Sequence, residues 1–281
     1  MNVDLDREQK RASSNGDDRI STENSEPFFK GSLVEICILS YAPYSFSEKH
    51  ALKHELMPFF SETRLGKIDR LMLNPQDSSL SEKHISALEQ SAAAELAICA
   101  AMKNSGRPFA PSDYAYKESG QPTIQNGHIS ISHTEGYAAC AIAREPVGID
   151  VERGHTFSKA AAKRILSPQE ELMSDSTNAD ELLSRIWTVK ESFLKMTGEG
   201  IPGGMRTLEL IAAGDGSSGK WTIKRGTKLE AGCAVLLSIS GSGNSADFND
   251  AYLSVCTKKK ATMHIKRFES VESILEFLNE P

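Results

Sequence analysis

A chain of 281 residues holds one large domain or two modest ones and has ample length for a sizeable core. Its formal net charge of −6, with 25% charged residues, gives no global pull toward nucleic acid. No apolar run approaches the roughly 20 residues of a membrane span. The N-terminus lacks the pattern of a signal peptide, and five cysteines without Cys-x-x-Cys spacing read as buried thiols rather than a disulfide framework or zinc site. A cytoplasmic protein is expected.

In chain order, residues 1–31 are polar and mixed in charge, with too little to bury, and are expected to form a disordered leader. The alternating run Leu33-Val34-Glu35-Ile36-Cys37-Ile38-Leu39 predicts the first strand. A helix is expected over 48–71, and an alanine-rich one over Ile85–Met102, where small side chains suit close packing. Two strands follow, Ile129–His133 and Tyr137–Ala143, joined by the turn Thr134-Glu135-Gly136. Pro146–Val151 is short, β-branched and bounded by Pro and Gly, and predicts a third.

Past that strand, a helix is expected over Phe157–Leu166. Ser167-Pro168-Gln169-Glu170 has the form of a capping box with Pro at the first helical position, so a second helix starts there. From Ala179 to Thr197, apolar residues at Leu182, Ile186, Val189, Phe193 and Met196 form a stripe with helical spacing, and Gly198 ends it. Strands are expected near 221–224, 232–239 and 251–257, a loop over 241–250, and an amphipathic helix over Val271–Leu278.

Two acidic segments stand out. In Gly148-Ile149-Asp150-Val151-Glu152, the carboxylates lie two residues apart on a strand and project to one face about 7 Å apart. In Trp187-Thr188-Val189-Lys190-Glu191-Ser192-Phe193-Leu194-Lys195, Glu191 and Lys195 stack one turn apart, off the apolar stripe. Taken singly, the first is ordinarily a solvated face and the second a surface ion pair worth about 0.3–0.5 kcal/mol. Together they offer three carboxylates and a lysine, a set that suits a hard divalent cation with open positions for water and phosphate. Upstream, Ile129-Ser130-Ile131-Ser132-His133 ends in two groups suited to phosphate oxygens, although a lone histidine is more often structural.

Ser132-His133-Thr134, then Gly148-Ile149-Asp150-Val151-Glu152, then Trp187-x-x-Lys190-Glu191-Ser192-x-x-Lys195, in this order and spacing, resemble the 4′-phosphopantetheinyl transferases of the Sfp type. The resemblance runs from about residue 33 to 260 and is densest between 119 and 202. It implies an α/β (α+β) fold of two similar subdomains related by a pseudo-twofold, each a helix packed on a small antiparallel sheet, with the active site in the cleft between them. After the leader, the subdomains would span 32–147 and 148–281. The implied reaction moves the phosphopantetheine arm of coenzyme A to a serine of an acyl or peptidyl carrier protein and releases adenosine 3′,5′-bisphosphate. The shorter, trimeric holo-acyl-carrier-protein synthase type is disfavoured by length, so a monomer is expected, with no nucleic-acid or membrane partner.

The resemblance also implies roles. Asp150, Glu152 and Glu191 match the family's Mg2+ ligands, Glu191 is the base for the carrier serine, and Lys195 holds a phosphate oxygen. Asp150, Glu191 and Lys195 are thus the catalytic set. Ser132 and His133 match phosphate contacts, with Lys190 a weaker one. Gly120-Gln121-Pro122 resembles the loop that meets the adenine, where the family commonly has Gly-Lys-Pro; the neutral Gln121 can hydrogen-bond but adds no charge there. Family members usually carry a basic residue on the helix that here reads Leu88-Glu89-Gln90-Ser91-Ala92, and Lys67 and Arg70 are the alternatives for the 3′-phosphate. Two competing readings remain: a degenerate coenzyme A or carrier binder without turnover, and an unrelated Mg2+-dependent phosphohydrolase.

Overall fold

The computed structural model describes residues 17–20, 33–42, 56–60, 65, 82–107, 109–110, 112–118, 120–154, 156–171, 179–200, 204–212, 219–226, 228–239 and 251–281. Its strands are β1 (Asp17–Ile20), β2 (Leu33–Ser40), β3 (Tyr114–Tyr116), β4 (Pro122–Ile124), β5 (His128–Thr134), β6 (Tyr137–Ala143), β7 (Val147–Arg153), β8 (Leu208–Ala212), β9 (Lys220–Arg225), β10 (Lys228–Ile239), β11 (Ala251–Thr257) and β12 (Thr262–Phe268). The helices are α1 (Glu82–Asn104), α2 (Lys159–Ile165), α3 (Pro168–Glu171), α4 (Ala179–Thr197) and α5 (Val271–Asn279).

The strands form two five-stranded sheets, in the orders β1-β12-β2-β6-β5 and β7-β11-β10-β9-β8, plus the hairpin β3-β4. β6 and β11 are buried along their whole length, which fits their continuous apolar sequences: each is covered on both faces. On one face of the first sheet, Cys37, Leu39, Cys140 and Ile142 pack against Ala93, Leu96 and Ala97 of α1. From the other face, Ile36, Ile38, Ala139 and Ala141 meet Ile149, Val151, Leu253 and Val255 of the second sheet. The apolar stripe of α4, with Ile186, Val189, Phe193 and Met196 buried, closes the outer face of that second sheet against Leu236, Tyr252 and Cys256. The result is helix, sheet, sheet, helix, and the two sheets meet at their edge strands β5 and β7.

Most expected elements are present, α4 with the expected bounds. Ser167 and Glu170 close the capping box reciprocally: Ser167 N donates to Glu170 Oε2 at 2.8 Å and Glu170 N to Ser167 Oγ at 3.3 Å. Of the helix expected over 48–71, only 56–60 and 65 are described, with Met57–Phe59 a turn of 3-10 helix. Cys37, Cys99, Cys140 and Cys256 are buried thiols, and burial pushes the Cys37, Cys99 and Cys140 thiols well up; Cys233's side chain lies outside the described residues.

The expected small antiparallel sheets with packed helices are present, with β12 on β2 paired in parallel. Two expectations need correction. Strand β12, with α5, returns the end of the chain to the first half, where Val271, Ile274, Leu275 and Leu278 join the α1 core; the C-terminal unit is therefore not the continuous run 148–281. The physical reason is burial: β2 offers a free edge that β12 covers, and the apolar face of α5 finds its partner there. Within the stretch read as a disordered leader, Asp17–Ile20 forms β1, antiparallel to β12.

Candidate active site

The edge strand β5 is stitched to β7 by hydroxyls two residues apart. Ser130 Oγ accepts from Ile149 N at 3.1 Å, Ser132 Oγ donates to Asp150 Oδ1 at 2.8 Å, and Thr134 Oγ1 donates to Glu152 Oε1 at 3.3 Å. Strand alternation places all three on one face. Ser130 carries no separate signal in the sequence beyond that alternation with Ile129 and Ile131, whereas Thr134 closes the Ser132-His133-Thr134 motif.

Opposite this seam runs α4. Gly148 allows its approach: a Cβ there would lie 2.5 Å from Met196 N and still deeper inside Ser192 O, both backbone atoms of the helix. Ser192 and Ser254 hydroxyls meet at 2.8 Å behind the seam, fixing α4 to β11. Gly198, at φ 75°, then takes the left-handed turn that ends the helix.

The close approach brings the expected residues together. Lys195 Nζ donates to Asp150 Oδ1 at 2.7 Å and to Ser132 Oγ at 2.9 Å. Asp150 is 4% exposed and Glu191 8%, and Asp150 Oδ2 and Glu191 Oε1 are buried without a hydrogen bond. Burial first, then the Asp150 and Glu152 charges, raise the Glu191 carboxyl to about 7 against the pull of Lys195. Two carboxylates are thus crowded together with one oxygen each unsatisfied, the condition a divalent cation relieves. Among the described residues, no group of three His, Cys, Asp or Glu side chains is disposed to hold a metal ion; Asp150 Oδ1 is instead engaged by Lys195 and Ser132.

The raised carboxyl has a consequence for stability. A group that ionises at a higher pH folded than unfolded binds more protons in the fold between the two values, so folding weakens as pH rises across that window, from about 4.5 to about 7. The expected loss is up to about 3 kcal/mol. Denaturant unfolding at pH 5 and pH 8 checks it: Glu191→Gln should flatten the difference, and an equal pH slope in both proteins would refute the assignment.

The remaining expected residues divide. His133 is exposed at the mouth of the seam, its Nδ1 3.0 Å from Gln90 Oε1 of α1. Lys190 is a correction: it is 0% exposed, turned away from Glu191, and donates to Glu170 Oε2 at 2.6 Å and Ile165 O at 2.8 Å, so it cannot reach a phosphate. Successive helical residues point about 100° apart, which sends Lys190 toward α2 and α3 while Glu191 faces β7. Gly120 and Gln121 lie in the β3–β4 turn and Pro122 begins β4; Lys117 N donates to Gln121 O and Lys117 Nζ to Gln121 Oε1, both at 2.9 Å. Lys117 was not singled out by the sequence; its position four residues before Gln121 was the available signal. Lys67 and Arg70 lie outside the described residues.

Comparison with known proteins converges on the same segment. Residues 146–256 match the profile of the 4′-phosphopantetheinyl transferase superfamily, which bears out the resemblance read from the motifs. The 4′-phosphopantetheinyl transferase psf-1 of Bacillus pumilus is 29% identical over 167 residues, covering 57% of this chain and 66% of that protein. The 4′-phosphopantetheinyl transferase Sfp of Bacillus subtilis strain 168 is 34% identical over 83 residues, 28% of this chain and 37% of the relative. The matches thus span less than two thirds of these relatives' lengths. Among solved structures, the holo-acyl-carrier-protein synthase of Thermotoga maritima is similar at 24% identity and a TM-score of 0.30, over 41% of this chain and 64% of that one.

Proposed function

We propose, from the match of residues 146–256 to the 4′-phosphopantetheinyl transferase superfamily, that this chain transfers the 4′-phosphopantetheine arm of coenzyme A to a serine of an acyl or peptidyl carrier protein. The observation that carries the proposal is the union of Ser132, Asp150 and Lys195 through bonds of 2.7–2.9 Å beside a buried Glu191 with an unsatisfied oxygen. A mere binder has no use for a crowded carboxylate pair with a base near neutrality. Among the described residues no helix is long and apolar enough to cross a membrane, and the proposed setting is a cytoplasmic monomer.

Asp150, Glu152 and Glu191 would hold Mg2+. When bound, the cation would neutralise pyrophosphate charge and polarise the phosphoryl group under attack. Glu191, with its carboxyl raised to about 7, is suited to accept the carrier serine's proton near neutral pH, directly or through a water. The serine oxygen then bonds to the β-phosphorus of coenzyme A as the bond from that phosphorus to the bridging oxygen breaks. Adenosine 3′,5′-bisphosphate leaves with that oxygen and the charge, which the Lys195 ammonium meets by donation. Ser132 and His133, on the adjoining strand, align the phosphate oxygens.

Lys117 bears on the nucleotide end. Its ammonium rests on the Gln121 amide, so the loop keeps a positive charge although the family's lysine is absent. Lys117→Ala is expected to raise the KM for coenzyme A about threefold to tenfold with kcat nearly unchanged, an effect that shrinks as salt rises. An unchanged KM would remove this loop from the nucleotide site.

Mass spectrometry of apo carrier proteins incubated with the protein, coenzyme A and Mg2+ tests the function. One added phosphopantetheine group on the carrier serine is expected. Unmodified carriers from fatty-acid, polyketide and nonribosomal-peptide systems alike would overturn it, and nucleotide hydrolysis without a carrier would favour the phosphohydrolase reading.

A further inference from the structure

The buried pair of Lys190 and Glu170 lies outside the reacting cluster, yet its placement bears on it. Glu170 is 5% exposed and serves three elements at once: Oε2 accepts from Lys190 Nζ at 2.6 Å and Ser167 N at 2.8 Å, and Oε1 accepts from Leu210 N at 3.0 Å. Lys190 adds a bond to Ile165 O, the last residue of α2. One carboxylate therefore ties the start of α3, strand β8 and the middle of α4, and the lysine ties α4 to the end of α2.

The tie falls on the residue next to Glu191. On its other side, the apolar stripe of α4 packs against Leu236, Tyr252 and Cys256, and the helix touches β7 at Gly148 and β11 at Ser254. Apart from the Ser192–Ser254 bond and the Lys195 bonds to Asp150 and Ser132, that seat is non-directional apolar packing, which sets how near the helix comes more than how it is turned. A buried charge pair has directional bonds, and a rotation of α4 about its axis would pull Lys190 out of them. The same rotation would move Glu191 along the seam and draw Lys195 off Asp150 and Ser132. Desolvation lowers the Lys190 ammonium from its ordinary value while the Glu170 charge acts against that fall; an apolar pair would fill the space without this cost, which is the usual outcome when buried ion pairs are replaced.

We propose that Lys190 is a positioning residue which, through Glu170, fixes the rotation of α4 and so sets the distance between Glu191 and the β7 carboxylates. The inference rests on the metal-dependent transferase reading above. It assigns the lysine of the Trp-x-x-Lys-Glu segment to the geometry of the site, with no contact to substrate.

The test separates positioning from stability. Lys190→Met leaves Glu170 buried and unpaired and can fail to fold, so the paired variant Glu170→Leu/Lys190→Met, which removes both charges, is measured beside it. Mn2+ binding is followed by electron paramagnetic resonance, folding by thermal melting, and transfer to an apo carrier by steady-state kinetics. The paired variant also leaves Ser167 N, Leu210 N and Ile165 O without these partners, so it is expected to melt below the parent protein while still folding, to bind Mn2+ about 10- to 100-fold more weakly, and to lose kcat by a similar factor, with the KM for coenzyme A changed less than about twofold. A folded paired variant with parental Mn2+ affinity and kcat would overturn the proposal and leave the pair a structural element only. A rise in KM alone would also overturn it, by placing Lys190 at the substrate. If the paired variant does not fold, Glu170→Gln keeps the shape and weakens the charged tie; unchanged Mn2+ affinity there overturns the proposal equally. Absence of Mn2+ binding in the parent protein would instead defeat the metal reading, and this inference with it.

Discussion

Asp150→Asn is expected to lower kcat by about a thousandfold or more while the protein stays folded. The substitution keeps the side chain's shape and an oxygen for Ser132 and Lys195 to donate to, but it removes the charge that faces Glu191 and the anionic oxygen offered to a cation. It carries a second signature that a general loss of structure would not produce. The Asp150 charge is the largest cause after burial of the upward shift of Glu191, so removing it should move the ionisation of Glu191 downward. The residual activity, though small, should then extend to lower pH than in the parent protein, and the pH dependence of stability described above should shift the same way. Kinetics from pH 5 to pH 9 on both proteins decide the matter. Near-parental turnover would sink the assignment of Asp150, and lost turnover with an unmoved pH limb would show that Asp150 does not act on Glu191.

Gly148→Ala is expected to destabilise the fold by about 3 kcal/mol or more, because overpacking against a helix backbone has no flexible side chain to absorb it. The added carbon would lie 2.5 Å from Met196 N and closer still to Ser192 O, so either α4 or β7 must retreat. Since Glu191 and Lys195 ride on α4 and Asp150 on β7, a retreat of about 1 Å should also cost roughly a hundredfold in kcat. Urea unfolding measures the first effect and carrier modification the second. A midpoint equivalent to less than 0.5 kcal/mol of loss, below about the scale of an ordinary surface substitution, would mean that the helix does not seat there. Full activity in a destabilised but folded variant would mean that the site tolerates the displacement.

Much of the helical structure could be read from the letters because periodicity and caps are local. The stripe from Leu182 to Met196 defines which face of α4 is buried, and Ser167 with Glu170 announces α3, both within a few residues of chain. The acidic pair on β7 and the Glu191–Lys195 pair on α4 follow from the same two periods, so the residues of the candidate site were legible even though their meeting was not. Strands β1, β3, β4, β8 and β12 escaped the reading, being short or mixed in polarity.

The sequence by itself determined which side chains share a face: Asp150 with Glu152, Glu191 with Lys195, and Ser130 with Ser132. Only the tertiary structure decided which faces confront each other. It turned Lys190 toward Glu170, where a capping residue of the preceding helix, 20 residues earlier in the chain, became its counter-ion. It also returned β12 to the edge of β2 and set Lys117 against Gln121. The reason is one of range. A residue's direction is fixed by backbone geometry over a few neighbours, whereas the partner it meets depends on burial summed over sheets formed by segments more than a hundred residues apart, as with His264 on β12 and Glu35 on β2, which hydrogen-bond at 2.9 Å.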